Sequence, residues 1–219
     1  MNTAYDLILF DLDGTLTESG PGVMASMTYA LKEQGLPVPP PEILRTFIGP
    51  PILQSLTETC GFTPEESEPV YHIYRKHYRS VGIFQNKLYP HTKELLSALK
   101  KAGFRLCVAT SKPQDQALEV IERFELTPFM ELVAGPGYGE TTSSKAMLIE
   151  RCLTHCGTRP ERALMVGDTK FDAKGAADTG VDFIGILHGY GTTEEMLQYK
   201  PTARFANDFV ELEQMLLTN

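Results

Sequence analysis

From residue 93 onward the chain alternates segments of helical periodicity with short apolar runs, and this alternation constrains its fold more than any other feature. Helical spacing marks 93–102, 113–124, 145–156 and 173–179, while apolar runs mark 105–109, 132–134, 163–166 and 183–187. Strands separated by helices return in the same direction, so the pattern predicts an α/β fold with a parallel, Rossmann-like sheet and helices on both faces. An earlier run, Leu7-Ile8-Leu9-Phe10, is continuous rather than alternating, as in a strand covered on both sides.

Between that first strand and the later alternation the character of the chain changes. Val23, Met27, Ala30 and Leu31 recur at helical spacing, and helices are expected over 41–47, 51–60 and 65–81, with no convincing strand in 20–88. The expected organisation is a discontinuous α/β core, 1–16 with 89–219, interrupted by a small helical unit over 17–88. With 219 residues, 42% of them hydrophobic, the chain has enough apolar material for one sizeable core and a smaller appended unit.

The charge balance narrows the partners. Twenty-eight acidic against 20 basic residues leave a net charge of −8, which argues against general affinity for nucleic acid or an anionic membrane. No apolar run approaches the ~20 residues needed to span a bilayer, and no secretory pattern opens the sequence, so a cytoplasmic location is expected. Cys60, Cys107, Cys152 and Cys156 lack paired CxxC spacing. Cys152 and Cys156 lie four apart on an expected helix, where burial among apolar neighbours is the default for free thiols.

Chemistry is concentrated where strands end. Asp11-Leu12-Asp13-Gly14-Thr15 follows the first strand, at the carboxyl end where ligands of such sheets gather. Thr110-Ser111-Lys112-Pro113 passes from a strand to a helix start, a natural anion site. Lys145 opens a helix after the glycine-rich stretch Gly135-Pro136-Gly137-Tyr138-Gly139, and Gly167-Asp168-Thr169-Lys170-Phe171-Asp172 follows another apolar run. Each segment also has a plain structural reading: a polar turn, a helix cap, a solvated lysine. Four of them in this order, each at a strand-to-helix transition, favour a site that handles phosphate beside a divalent cation.

In order and spacing these segments resemble the haloacid dehalogenase superfamily, and the resemblance extends over nearly the whole chain. It implies Asp11 as a phosphate-attacking nucleophile, Asp13 as general acid and base, and Thr110, Ser111 and Lys145 as phosphate-binding groups. It further implies Mg2+ held by Asp11, Asp168 and the backbone carbonyl of Asp13, with Asp172 positioning metal-bound water or Lys145. The second carboxylate, Asp13, separates the superfamily's phosphatases from its dehalogenases, whose halide leaving group needs no acid. The helical insertion resembles the superfamily's small α-helical cap.

Within the superfamily the chain is similar to phosphoglycolate phosphatase-like enzymes through Thr110-Ser111-Lys112-Pro113, Gly175-Ala176 and the segment 185–191 with its Gly-Tyr-Gly. Ser111 stands where those enzymes usually carry Asn, and Tyr89-Pro90-His91 departs from a usual Tyr-Pro-Gly. Phe47-Ile48-Gly49-Pro50-Pro51 resembles a branch assigned as 5′-nucleotidases. The implied substrate is a small phosphomonoester, phosphoglycolate first and a nucleoside 5′-monophosphate as the alternative; a phosphomutase and a non-catalytic regulatory protein are the competing classes. Among the cationic residues of the insertion, Arg45, Arg75, Lys76, Arg79 and Lys87, Arg45 is the preferred specificity candidate. Oligomeric state is not encoded in any of these motifs.

Overall fold

The computed structural model describes residues 4–137, 140 and 143–218. Tyr138 and Gly139 of the glycine-rich stretch lie outside the described residues. Two compact units emerge, one of Met1–Leu16 with Leu88–Asn219 and one of Thr17–Lys87, so that Leu88 clusters with the larger unit rather than with the insertion.

In the larger unit, β1 (Leu7–Phe10) is followed, beyond the insertion and its paired two-residue strands β2 (Thr17–Glu18) and β3 (Lys87–Leu88), by β4 (Arg105–Ala109), β5 (Leu132–Ala134), β6 (Ala163–Gly167), β7 (Asp182–Ile186) and β8 (Arg204–Ala206). Six of these form one parallel sheet in the order β5-β4-β1-β6-β7-β8. The chain winds outward from β1 on one side and returns to build the other, which makes the carboxyl ends of β4, β1 and β6 a topological switch point. The short β3 is a strand inside the segment expected to have none; a two-residue pairing is too brief to leave a periodic signature.

The helices of the smaller unit are α1 (Gly20–Glu33), α2 (Pro41–Arg45), α3 (Ile52–Cys60) and α4 (Pro64–Ser80). Val23, Met27, Ala30 and Leu31 of α1 are buried, as are Val70, Tyr74 and Tyr78 of α4, against which α1 packs. A capping box starts α4: the Thr63 amide donates to Glu66 Oε2 at 2.8 Å and the Glu66 amide to Thr63 Oγ1 at 3.3 Å.

The sheet helices are α5 (Thr92–Lys101), α6 (Gln114–Arg123), α7 (Lys145–Cys156), α8 (Lys170–Thr179), α9 (Thr193–Leu197) and α10 (Phe209–Leu217). Leu7, Leu9, Cys107 and Met165 point into a core completed by Leu148, Ile149 and Cys152 of α7 and by Ala173 and Ala176 of α8. Ile8, Phe10, Leu106 and Val108, on the other face, are equally inaccessible. This two-sided burial is why β1 carries no polar alternation. Cys152 and Cys156 are both buried, and the Cys156 sulfur lies 3.5 Å from that of Cys107.

Two local departures from expectation have physical causes. The helix expected from 173 begins at Lys170, because Asp172 accepts hydrogen bonds from the Thr169 amide at 3.0 Å and hydroxyl at 2.8 Å and so caps an earlier turn. His91, in the place of the usual glycine, adopts the left-handed conformation that glycine favours, with φ 67°, and its Nε2 lies 2.7 Å from Glu213 Oε2 on α10. The side chain thus gains a partner at a position strained for a residue with a Cβ.

Candidate active site

The register of the three central strands sets the site. Phe10 pairs with Val108 on one side and Val166 on the other, so Asp11, Thr110 and Asp168 leave the sheet at nearly one level. Asp11 and Thr110 are 2% and 1% exposed, and Asp168 and Asp172 are fully buried.

Lys145 unites these groups. From the first position of α7, whose start is capped by Ser144, its Nζ donates to Asp11 Oδ1 at 2.8 Å and to the Ala109 carbonyl at 3.0 Å. Asp172 Oδ1 is 2.8 Å away as an ion-pair partner, so three acceptors surround an ammonium that has three protons. The lysine stem passes across α8 only because residue 175 is glycine: a Cβ there would lie 2.7 Å from Lys145 Cγ. That is the physical content of the Gly175-Ala176 signature.

Asp168 is enclosed from two directions. The Thr15 hydroxyl donates to Oδ1 at 2.8 Å, and the Tyr190 amide donates to Oδ2 at 2.9 Å. A Cβ on Gly189 would come within 2.3 Å of both Cβ and Oδ2 of Asp168, so the loop after β7 can wrap this carboxylate only with glycine there. The loop is anchored by His188, whose Nε2 lies 2.9 Å from the Thr15 carbonyl oxygen and whose ring stacks on Tyr89 at 3.8 Å.

Asp13 is held separately. Lys112 Nζ donates to Asp13 Oδ2 at 2.8 Å and to Oδ1 at 3.1 Å, with both side chains largely buried. The Lys112 amide donates to Thr110 Oγ1 at 3.2 Å, which leaves the threonine hydroxyl proton for an incoming acceptor. Ser111, half-buried, follows Thr110 in the same turn.

The electrostatics call for further positive charge. Burial, offset in part by Lys145, pushes the Asp11 carboxyl up to about 6, and burial with the charges of Asp172 and Asp11 raises Asp168 well above the usual carboxylate range. Burial acts to lower Lys145, but the charges of Asp11 and Asp172 outweigh it and hold the ammonium above its ordinary value. Among the described residues, the buried carboxylates Asp11, Asp13, Asp168 and Asp172 outnumber the buried ammonium groups, Lys112 and Lys145.

The donor set fits a hard divalent cation. Asp11, Asp168 and Asp172 offer carboxylate oxygens within 4.8 Å of one another, and oxygen-only sites suit ions of the Mg2+ type. Asp172 spends Oδ1 on the Lys145 ammonium and Oδ2 on Thr169, whereas Asp168 is bonded by the neutral donors Thr15 and Tyr190 and Asp11 gives Lys145 one oxygen, which leaves Asp11 and Asp168 as the better holders. The Asp13 side chain is not among these three carboxylates. Gly189→Ala is expected to displace Asp168 and weaken Mg2+ binding by ~10–100-fold, the usual cost of disturbing groups that orient a metal ligand; calorimetric titration of the metal-free protein measures it.

Residues 8–186 match the family model described as haloacid dehalogenase-like hydrolase. The chain belongs to that family. It is therefore an enzyme of the hydrolase class, built on the family's six-stranded parallel sheet. It is 36% identical to a 5′-nucleotidase of Pseudomonas aeruginosa, over 97% of this chain and 96% of that one. It is 32% identical to a phosphoglycolate phosphatase of Haemophilus influenzae, over 99% of this chain and all of that one. A solved structure described as a predicted phosphatase from Clostridium acetobutylicum superposes with a TM-score of 0.92 at 32% identity, covering 99% of this chain and all of the other. This places the hydrolase among the phosphatases of its family.

All core positions of the family pattern, Asp11, Asp13, Thr110, Ser111, Lys145, Asp168 and Asp172, lie at this end of the sheet. Arg45 belongs to the other unit, exposed at the last residue of α2. Motif reading overlooked Thr15, Lys112 and the Tyr190 amide as partners of Asp168 and Asp13. Lys112 left one usable signal: a lysine between a strand end and a helix start, in a segment already marked for phosphate.

Proposed function

We propose that this hydrolase cleaves small phosphomonoesters by way of an aspartyl phosphate, with Asp11 as nucleophile and Asp13 as proton carrier. The observation supporting this reading is that two carboxylates two residues apart are held by different lysines, Asp11 by Lys145 and Asp13 by Lys112. One is kept beside the charge-stabilising groups, and the other is kept apart for proton transfer.

In the first half-reaction an Asp11 oxygen bonds to phosphorus as the ester P–O bond breaks, and Asp13 delivers a proton to the departing oxygen. In the second, Asp13 takes a proton from water as its oxygen attacks phosphorus and the bond to Asp11 breaks, releasing inorganic phosphate. The Thr110 hydroxyl and Ser111 amide orient the phosphoryl oxygens, and Lys145 stabilises their charge. When bound by Asp11 and Asp168, Mg2+ would supply charge neutralisation that lets an anionic nucleophile approach an anionic ester. Asp172 acts by fixing Lys145. The helical unit, in this reading, is a cap that selects the substrate, with Arg45 as a candidate reader of a second anionic group.

Phosphoglycolate is the leading substrate. A nucleoside 5′-monophosphate is the second reading, favoured by the 5′-nucleotidase relative that matches over nearly its full length. A panel of both, assayed for inorganic phosphate with Mg2+ and with chelator, tests the proposal. Release from at least one ester in Mg2+, suppressed by chelator, is the expected result. Phosphate transferred to an acceptor without inorganic phosphate would identify a mutase, and no turnover of any ester would remove the catalytic reading.

A further inference from the structure

We propose that Lys112 is a positioning residue for proton transfer: its ammonium fixes the plane of the Asp13 carboxyl group so that the proton it exchanges with the ester oxygen travels along one direction. The inference rests on the phosphatase reading and deepens it, since that reading uses Lys112 only to hold Asp13 apart from Asp11.

Three observations carry it. Lys112 Nζ reaches both oxygens of Asp13, at 2.8 and 3.1 Å, and a donor shared by both oxygens restrains rotation about the bond to the carboxyl carbon as a single contact would not. Lys112 is itself delivered from a rigid platform. Its amide is tied to Thr110 Oγ1, and the Gly135 Cα packs so closely on the Lys112 carbonyl that a Cβ would stand 2.5 Å from the oxygen. The next residue but one, Gln114, is pinned to the end of β5 through the Gly135 amide at 2.6 Å and the Val133 carbonyl at 2.8 Å. Finally, the lysine side chain is only 4% exposed and that of Asp13 13%. A buried ion pair is a poor source of net stability, since apolar residues of similar volume serve a fold as well, so its occurrence beside the nucleophile calls for a task other than folding.

The placement also explains how two neighbouring carboxylates keep distinct jobs. Lys145 bonds Asp11 from the α7 side, and Lys112 bonds Asp13 from the turn before α6. A carboxyl group that must give a proton in one half-reaction and take one in the next benefits from a fixed orientation in both.

Leaving-group dependence distinguishes this role from phosphate binding and from simple structural support. Departure of 4-nitrophenolate needs little protonation, whereas an alkoxide leaves only with a proton. The ratio kcat/KM reports the step in which the leaving group departs. The experiment measures kcat/KM for Lys112→Met and Lys112→Arg on the alkyl phosphate turned over fastest by the wild type and on 4-nitrophenyl phosphate. Wild-type turnover of these esters tests the phosphatase reading; the ratio between them in the variants tests Lys112. Lys112→Met is expected to lose ~100-fold on the alkyl ester, the scale of a misplaced catalytic group, and less than about fivefold on the nitrophenyl ester. Lys112→Arg, which keeps a cation able to span both oxygens, is expected to recover at least about tenfold of the alkyl-ester loss. Equal losses on both esters, or a loss residing in KM alone, would overturn the proposal in favour of phosphate binding or structural support. Unchanged kinetics in both variants would overturn it outright.

Discussion

Asp11→Asn abolishes phosphate release, with an expected loss of ~10⁴-fold or more, because an amide cannot form the bond to phosphorus and no other carboxylate shares its place. Asp13 is turned toward Lys112, while Asp168 is committed to Thr15 and Tyr190 and Asp172 to Thr169 and Lys145. Phosphate release measured with Mg2+, together with labelled phosphate retained on quenched wild-type but not variant protein, checks both the residue and the covalent step. Activity surviving the substitution would sink the aspartyl-phosphate mechanism. The same variant has a stability signature. Asp11 is raised by burial from 3.8 to about 6, so the folded protein disfavours its charged form. In the metal-free wild type this group's contribution to stability is fully present below pH 3.8 and is lost as pH rises through about 6. Metal-free Asp11→Asn lacks that loss, and its melting temperature is expected to exceed the wild type's above pH 6 and to converge with it near pH 4; thermal scans across this range measure the difference.

Lys145→Met is expected to be the most damaging substitution for the fold and one of the most damaging for catalysis. It removes a cation held by Asp11, Asp172 and the Ala109 carbonyl and leaves two buried carboxylates facing each other beside Asp168. Breaking a buried pair by removing one partner costs ~3–5 kcal/mol. For a chain of this size that corresponds to roughly 6–20 °C in melting temperature. Mg2+ supplies positive charge to the same carboxylates, so the deficit is expected to shrink when the metal is added; scans with and without Mg2+ decide this. Loss of a charge-stabilising group in the site adds ~10²–10³-fold in kcat. A melting temperature within 2 °C of wild type, on the order of 1 kcal/mol or less, would show that the lysine is not the electrostatic keystone of this cluster.

Much of this was legible in the sequence, for reasons specific to each element. The strands Leu7–Phe10, Arg105–Ala109 and Leu132–Ala134 and the helix Lys145–Cys156 occur where periodicity places them, since each has a continuous apolar run or a clear 3.6-residue stripe. The start of α8 was misread because its first turn, Lys170-Phe171-Asp172, is stabilised by a side chain returning to Thr169 rather than by an apolar stripe. The strand Arg204–Ala206 and helix Phe209–Leu217 escaped notice: three residues on a sheet edge and nine beyond it give periodicity little length to register.

The sequence by itself determined the class of fold, the order of the four polar segments and the identity of the groups that can do chemistry, because strand and helix periodicity and residue type are local properties. It could not determine which groups meet. Lys145 joins Asp11 across 134 positions, Lys112 joins Asp13 across 99 and Thr15 joins Asp168 across 153. Those pairings follow from the parallel register of β4, β1 and β6, which brings distant strand ends to one level, and from glycines at 175 and 189 that let a lysine stem and a loop approach within van der Waals distance. Tertiary structure alone decided that Asp11 and Asp13, two residues apart, answer to different lysines, because side chains leaving a strand end diverge and each meets whatever element the sheet has placed beside it.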